Sequence, residues 1–240
     1  MMKDLYSQDW IGNKFNTAQP LFSIIITTYN RASLLPRAID SLISQTNKDW
    51  EAIIVDDEST DDTYFRILPY LSLNRPIRYF KKAHSGEALS KNAGINAARG
   101  KFISFLDSDD EYHPLHLQAR KEILNSHSAV NLLYGGVKII GNPFVPDRNN
   151  CNKLVNLNEC VIGGTFFIEK DLLLRLNGFR DIILGTDADL FDRATLTGAV
   201  MKETKIPTYI YHHENEDSIT NMLIKSTSQR EGIFTDSNQN

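Results

Sequence analysis

Apolar residues in this chain gather in short runs that alternate with stretches of helical periodicity. Leu21 to Thr27 (L-F-S-I-I-I-T) is a brief β-branched run of the kind that forms a buried strand. The polar loop Thr28-Tyr29-Asn30-Arg31 follows. Leu34, Leu35, Ala38, Ile39, Leu42 and Ile43 then recur at helical spacing. Ala52 to Val55 predicts a second strand, Asp61 to Leu73 a helix and Ile77 to Phe80 a third strand. Glu87 to Arg99 predicts a helix stopped at Gly100. Lys101 to Leu106 predicts a fourth strand, which runs straight into Asp107-Ser108-Asp109-Asp110.

Buried strands alternating with amphipathic helices predict βαβ units: an α/β fold with a mainly parallel, Rossmann-like sheet flanked by helices. Ligands of such sheets bind beyond the carboxyl ends of the strands. The polar residues that interrupt the pattern stand at those ends: Thr28-Tyr29, Asp56-Asp57 and Asp107 to Asp109.

The second half is less regular. Leu132 to Ile140 predicts a strand. Asn142 to Asn158, polar and containing several Asn and Pro, predicts a mobile loop. Val161 to Ile168 predicts another strand, carrying Gly163-Gly164. Asp171 to Leu176 reads as a short helix and Asp187 to Thr197 as a longer one. No repeat or linker divides the chain. The expected organisation is an N-terminal extension (1–20), one domain (21–225) and a polar tail (226–240) too poor in apolar residues to pack.

Composition narrows the function. With 240 residues, 41% of them apolar, the chain can bury a sizeable core. A net charge of −4 provides no electrostatic footprint for nucleic acid, so an anionic substrate needs local help from a metal or a few basic side chains. Cys151 and Cys160 make neither a disulfide framework nor a C-x-x-C zinc pair, and point to a reduced, cytoplasmic setting. No run approaches the ~18 apolar residues of a membrane span. Met1 to Pro20 lacks the basic-then-apolar order of a signal peptide.

Asp107, Asp109 and Asp110 crowd negative charge at a strand end. A hard divalent cation, Mg2+ or Mn2+, held by one or two carboxylates and substrate phosphates would compensate it. The competing reading is a solvated acidic turn that caps the next helix. Asp56 can accept a hydrogen bond from a base or ribose, while Ser59 or Thr60 caps the helix that follows. Tyr29 can stack on a base or cover the sheet edge. Asp187 stands at a helix start, which the helix dipole alone favours; its functional reading is a general base. His212-His213 can complete a metal site, meet a phosphate, or be ordinary strand-end residues.

Together these pieces resemble the family 2 glycosyltransferases, which share the nucleotide-binding GT-A fold. The resemblance runs from about Phe22 to Thr220. It rests on S-I-I-I-T-T-Y-N-R (Ser23 to Arg31), I-V-D-D-E-S-T-D-D-T (Ile54 to Thr63), K-N-A-G-I-N-A-A-R-G (Lys91 to Gly100), F-I-S-F-L-D-S-D-D (Phe102 to Asp110), G-G-T-F-F-I (Gly163 to Ile168), N-G-F (Asn177 to Phe179) and T-D-A-D-L (Thr186 to Leu190). Each motif alone is weak, but seven in register are specific.

The resemblance implies an inverting, metal-dependent transfer of sugar from a nucleotide-diphosphate sugar, by default a UDP-sugar, to an acceptor hydroxyl. Thr28 and Tyr29 would line the base pocket, Asp56 would contact the base, Asp107 the ribose and Lys91 the donor. Asp109 would ligate Mn2+ or Mg2+, with His212 as a second candidate ligand. Asp187 would deprotonate the acceptor. It further implies a glycan or lipid-linked glycan acceptor, surface polysaccharide assembly and peripheral association with the inner face of a membrane; the oligomeric state stays open.

Two departures stand out. Thr186 replaces the family's usual Glu before the base, and Lys91 replaces a frequent Arg, keeping the charge but losing the planar fork. The alternatives are a degenerate relative that only binds nucleotide sugar and a haloacid dehalogenase-type phosphotransferase with Asp107 as nucleophile. The latter's motif normally follows the first strand, not the fourth. A nicotinamide enzyme lacks support, because no G-x-G-x-x-G follows the first strand.

Overall fold

The computed structural model describes residues 11–12, 19–72, 75–148 and 150–214, so the 226–240 tail and most of the 1–20 extension lie outside it. Strand β1 (Ile11–Gly12) is antiparallel to the edge of the main sheet. That part of the extension is therefore built into the fold, because its backbone satisfies an otherwise open strand edge.

The first half alternates as its sequence predicts. Strand β2 (Phe22–Thr28), helix α1 (Leu35–Ile43), β3 (Trp50–Asp56), α2 (Thr63–Ser72), β4 (Ile77–Lys81), α3 (Glu87–Ala97) and β5 (Phe102–Phe105) follow in order. The strands line up as β4-β3-β2-β5, all parallel. Thr28 pairs with Asp56 and Asp56 with Lys81, so the carboxyl ends are level.

Helices cover both faces of these strands. Ile24, Ile26, Ala52 and Ile54 pack with α1 and α2, while Ile25, Ile53 and Val55 pack with α3 on the other side. This double burial explains why the strands read as unbroken apolar runs rather than alternating ones.

In the second half, β6 (Glu111–Tyr112) leads to α4 (His116–Ser126), β7 (Leu132–Tyr134) and β8 (Val137–Gly141). The single strand expected over Leu132 to Ile140 is thus two. Gly135 and Gly136 adopt φ of 86° and 75°, backbone that most L-residues avoid, and turn the chain out of one sheet into another. Strands β9 (Phe144–Asp147) and β10 (Asn150–Asn156) form an antiparallel hairpin where a mobile loop was expected. Val161 to Ile168 is also corrected. Gly163 to Thr165 form a tight 3-10 turn, and strand β11 (Phe167–Glu169) begins only afterwards.

Helices α5 (Lys170–Arg175) and α6 (Thr186–Leu196) and strands β12 (Met201–Glu203) and β13 (Tyr209–His213) complete the described chain. Strand β11 joins the main sheet antiparallel to both β5 and β7, and β12 runs parallel to β7 at the edge. A small sheet, β6-β13-β8, stands beside it and carries Tyr209 up to the acidic run.

Candidate active site

Residues from several segments converge at the carboxyl ends of the parallel strands. Thr28, the last residue of β2, is buried, and its hydroxyl has no hydrogen-bond partner. Tyr29 is 46% exposed, with its ring centroid 4.5 Å from that of His84. The His84 Nδ1 lies 2.9 Å from Asp57 Oδ2. Asp57 also accepts from Lys82 Nζ at 2.5 Å and from the N–H groups of Ser85 and Gly86 at 2.9 and 2.8 Å. Burial alone would push the Asp57 carboxyl up, but these donors outweigh it and hold it below the usual range.

Asp56 does not reach the pocket expected of it. Its side chain is fully buried, Oδ1 accepting from the Ser59 N–H at 2.7 Å and Oδ2 from the Tyr79 hydroxyl at 2.6 Å. As the final residue of β3 it points into the structure and braces the following turn. Tyr29 and His84 form the open face of this pocket. Sequence reading missed His84, whose contacts come from the loop after β4 folding back onto Asp57.

The acidic run divides into three roles. Asp110 is buried and structural: it accepts from the Tyr209 hydroxyl at 2.6 Å and the His212 N–H at 2.7 Å. Asp109 keeps a partly open carboxylate, 4.0 Å from Arg31 Nη1, while its carbonyl accepts from Arg37. Asp107 keeps a partly exposed side chain, 3.6 Å from Lys91 Nζ. Burial, with Glu87, Asp109 and Asp187 nearby, pushes its carboxyl up to about 7 against the opposing pull of Lys91.

Asp107 and Asp109 supply the oxygen donors that a hard cation prefers. Among the described residues no three His, Cys, Asp or Glu side chains converge on one metal position. Of the two aspartates, Asp109 carries the carboxylate that could hold such a cation. His212 stands with Nε2 2.9 Å from Glu111 Oε1 and Nδ1 3.9 Å from Glu214 Oε1. A carboxylate on one ring nitrogen is also the partner that orients a metal-binding histidine, so these contacts leave its expected role as a second ligand untouched.

Asp187 enters from the first turn of α6. Its Oδ2 accepts from the Gly163 N–H at 2.9 Å; its Oδ1 is buried without a hydrogen-bond partner, 4.0 Å from Lys91 Nζ. A Cβ at residue 163 would stand 2.3 Å from this carboxylate, and one at 164 would stand 2.2 Å from the Tyr209 hydroxyl. The Gly163-Gly164 pair therefore exists for close approach. Burial raises the Asp187 carboxyl above the usual range and Glu87 adds to the effect; Lys91, the Gly163 N–H and the Thr186 hydroxyl pull the other way.

Lys91 links the acidic run to Asp187. It is 3% exposed, pairs with Glu87 at 2.6 Å, and lies between Asp107 and Asp187. The structure thus brings together Lys91, Asp107 and Asp187, with Asp109 on the same loop as Asp107 and Thr28 and Tyr29 at the neighbouring strand end. Glu87 and Tyr209 were missed by sequence reading. The Glu87-Lys91 spacing of four in a helix was the available signal for the first.

The family model described as "Glycosyl transferase family 2" matches residues 23–191. An Escherichia coli relative, "UDP-Glc:alpha-D-GlcNAc-diphosphoundecaprenol beta-1,3-glucosyltransferase WfgD", is 33% identical over 162 residues, 64% of this chain and 62% of its own length. The crystal structure of S. aureus TarS 1-349 in complex with UDP-GlcNAc superposes with a TM-score of 0.68 at 21% identity, over 82% of this chain and 60% of that one. The mannosyltransferase PcManGT from Pyrobaculum calidifontis, in complex with GDP-Man and Mn2+, gives 0.65 at 17% identity, over 85% and 60%. The chain spans less than two thirds of the length of each. The family model and the shared fold agree: the chain belongs to glycosyl transferase family 2 and has the GT-A fold of those enzymes.

Proposed function

We propose that this glycosyltransferase moves a sugar from a nucleotide-diphosphate sugar, with UDP as the nucleotide, to an acceptor hydroxyl with inversion. The observation that carries the reading is the Lys91 ammonium set 3.6 Å from Asp107 and 4.0 Å from Asp187. It puts a donor-side carboxylate and a base-side carboxylate on either side of one small space.

The base of the nucleotide packs on Tyr29 beside His84, and the unpartnered Thr28 hydroxyl gains a polar contact there. Asp107 receives the ribose. Asp109 would hold a divalent cation, Mn2+ or Mg2+, which when bound would offset the negative charge growing on the departing diphosphate. Asp187 accepts the acceptor's proton. Its raised proton affinity makes it a stronger base than an ordinary carboxylate, and the Gly163 N–H fixes its orientation. Direct displacement at the anomeric carbon calls for no nucleophilic side chain.

UDP-Glc and a diphosphoundecaprenol acceptor in the name of WfgD, and UDP-GlcNAc bound to TarS, support UDP as donor nucleotide and a lipid-linked glycan as acceptor, and we infer surface polysaccharide assembly as the setting. Among the described residues no helix is long and apolar enough to cross a membrane. We place the reaction on the cytoplasmic side, at the membrane surface where such an acceptor is presented.

Thermal unfolding with Mn2+ and UDP tests the donor half. UDP should raise the melting temperature in a metal-dependent way through ligand linkage. Asp109→Ala should abolish the metal dependence. Stabilisation by UDP that is equal with and without metal contradicts the role given to Asp109.

A further inference from the structure

We propose that Glu87 is a positioning residue for this site: it fixes the Lys91 ammonium between Asp107 and Asp187, so that one positive charge serves both carboxylates. The proposal rests on the functional reading above for the role of Asp187, whereas the geometry stands by itself.

Glu87 opens α3 and Lys91 follows one turn later, so the two side chains share a helix face. The Lys91 ammonium is 2.6 Å from Glu87 but 3.6 and 4.0 Å from the two aspartates. Its closest partner is thus a carboxylate with no assigned part in the chemistry. The rings of Phe105 and Phe179 lie 5.7 and 5.2 Å from Nζ and close the ammonium off from water. A cation so enclosed needs its counter-charges, and their placement decides where it rests. Lysine suits the position: its compact ammonium directs three donors toward three carboxylates, which a planar guanidinium does less well.

The consequence falls on Asp187. Its carboxylate is faced by Lys91 and Glu87 from α3, by Asp107 from the loop after β5, by the Gly163 N–H and by the Thr186 hydroxyl of its own helix, with Tyr211 of β13 within electrostatic reach. Lys91 favours the charged form and Glu87 the protonated one. Removing the Glu87 charge acts twice in one direction. It takes away a repulsive neighbour, and it frees Lys91 to close on Asp187.

The test is a carbon-13 NMR titration of the Asp187 carboxyl in the donor-free protein, the signal being assigned by its loss in Asp187→Asn. Glu87→Gln keeps the size and drops the charge, and should move the midpoint to lower pH. Lys91→Met should move it higher. Glu87→Asp returns the charge on a shorter arm and should fall between Glu87→Gln and wild type; it also serves alone if Glu87→Gln does not fold. A Glu87→Gln midpoint equal to wild type, or a Glu87→Asp midpoint equal to wild type where only that variant folds, overturns the proposal. The readout needs no substrate. Sugar transfer that survives Asp187→Asn would instead sink the base assignment and leave the titration result standing.

Discussion

The Gly163 N–H donates to the Asp187 carboxylate at 2.9 Å, and the missing side chain of Gly163 is what lets α6 bring that carboxylate in. Gly163→Ala should therefore displace Asp187. A shift of about 1 Å in a reacting group costs on the order of 100-fold in rate. Turnover should fall by that order, while UDP binding with Mn2+ stays near wild type. Steady-state transfer rates beside calorimetric UDP binding would show the split. An unimpaired Gly163→Ala enzyme would mean that the contact has no part in placing the base.

Tyr209 ties β13 to the acidic run through its 2.6 Å hydrogen bond to Asp110. Tyr209→Phe would leave a buried carboxylate short of a partner, at a cost of about 1–3 kcal/mol. A domain of this size should lose several degrees in melting temperature, roughly 2–4 °C for each kcal/mol. UDP binding should weaken as well, since the same loop carries Asp107 and Asp109. Differential scanning calorimetry checks the first effect, and no change in melting temperature would count against Tyr209 as the anchor.

His116 is fully buried, with Nδ1 2.9 Å from the Thr208 hydroxyl and Nε2 without a partner. Burial first, and Arg120 second, hold its pKa well below the ordinary 6.5. The unfolded chain thus binds a proton that the folded one refuses. Stability from this group is full above pH 6.5 and is lost as pH falls from there toward the depressed folded value. The slope approaches about 1.4 kcal/mol per pH unit. Denaturant titrations between pH 7 and 5 should show this loss, and His116→Gln should flatten it. An equal slope in the variant would remove His116 as the cause.

The parallel half of the fold was legible because its strands are buried on both faces, α1 carries a clear apolar stripe and Gly100 marks the stop after α3. The second half was not. The β9–β10 hairpin lacks apolar alternation, so its Asn and Pro residues read as loop. The Gly135-Gly136 break was visible as a dipeptide, but its meaning depends on a second sheet that takes up the chain. At the site, Lys91, Asp107, Asp109 and Asp187 were nameable from their motifs. Adjacent aspartates are alike in sequence, so the inward turn of Asp56 and Asp110 had to be seen. His212 drew attention as a titratable group, whereas its neighbour Tyr209 does the anchoring, because register puts Tyr209 opposite Tyr112.

The claim that Asp187 is the base, served by a donor site that works without it, has one most direct test. Asp187→Asn and wild type are compared for UDP binding in Mn2+ and for transfer across a panel of nucleotide sugars and lipid-linked acceptors. The account predicts that the variant binds UDP as wild type does and transfers sugar at least about 100-fold more slowly, the scale of a lost general base. An Asp187→Asn enzyme that transfers sugar at the wild-type rate would contradict it.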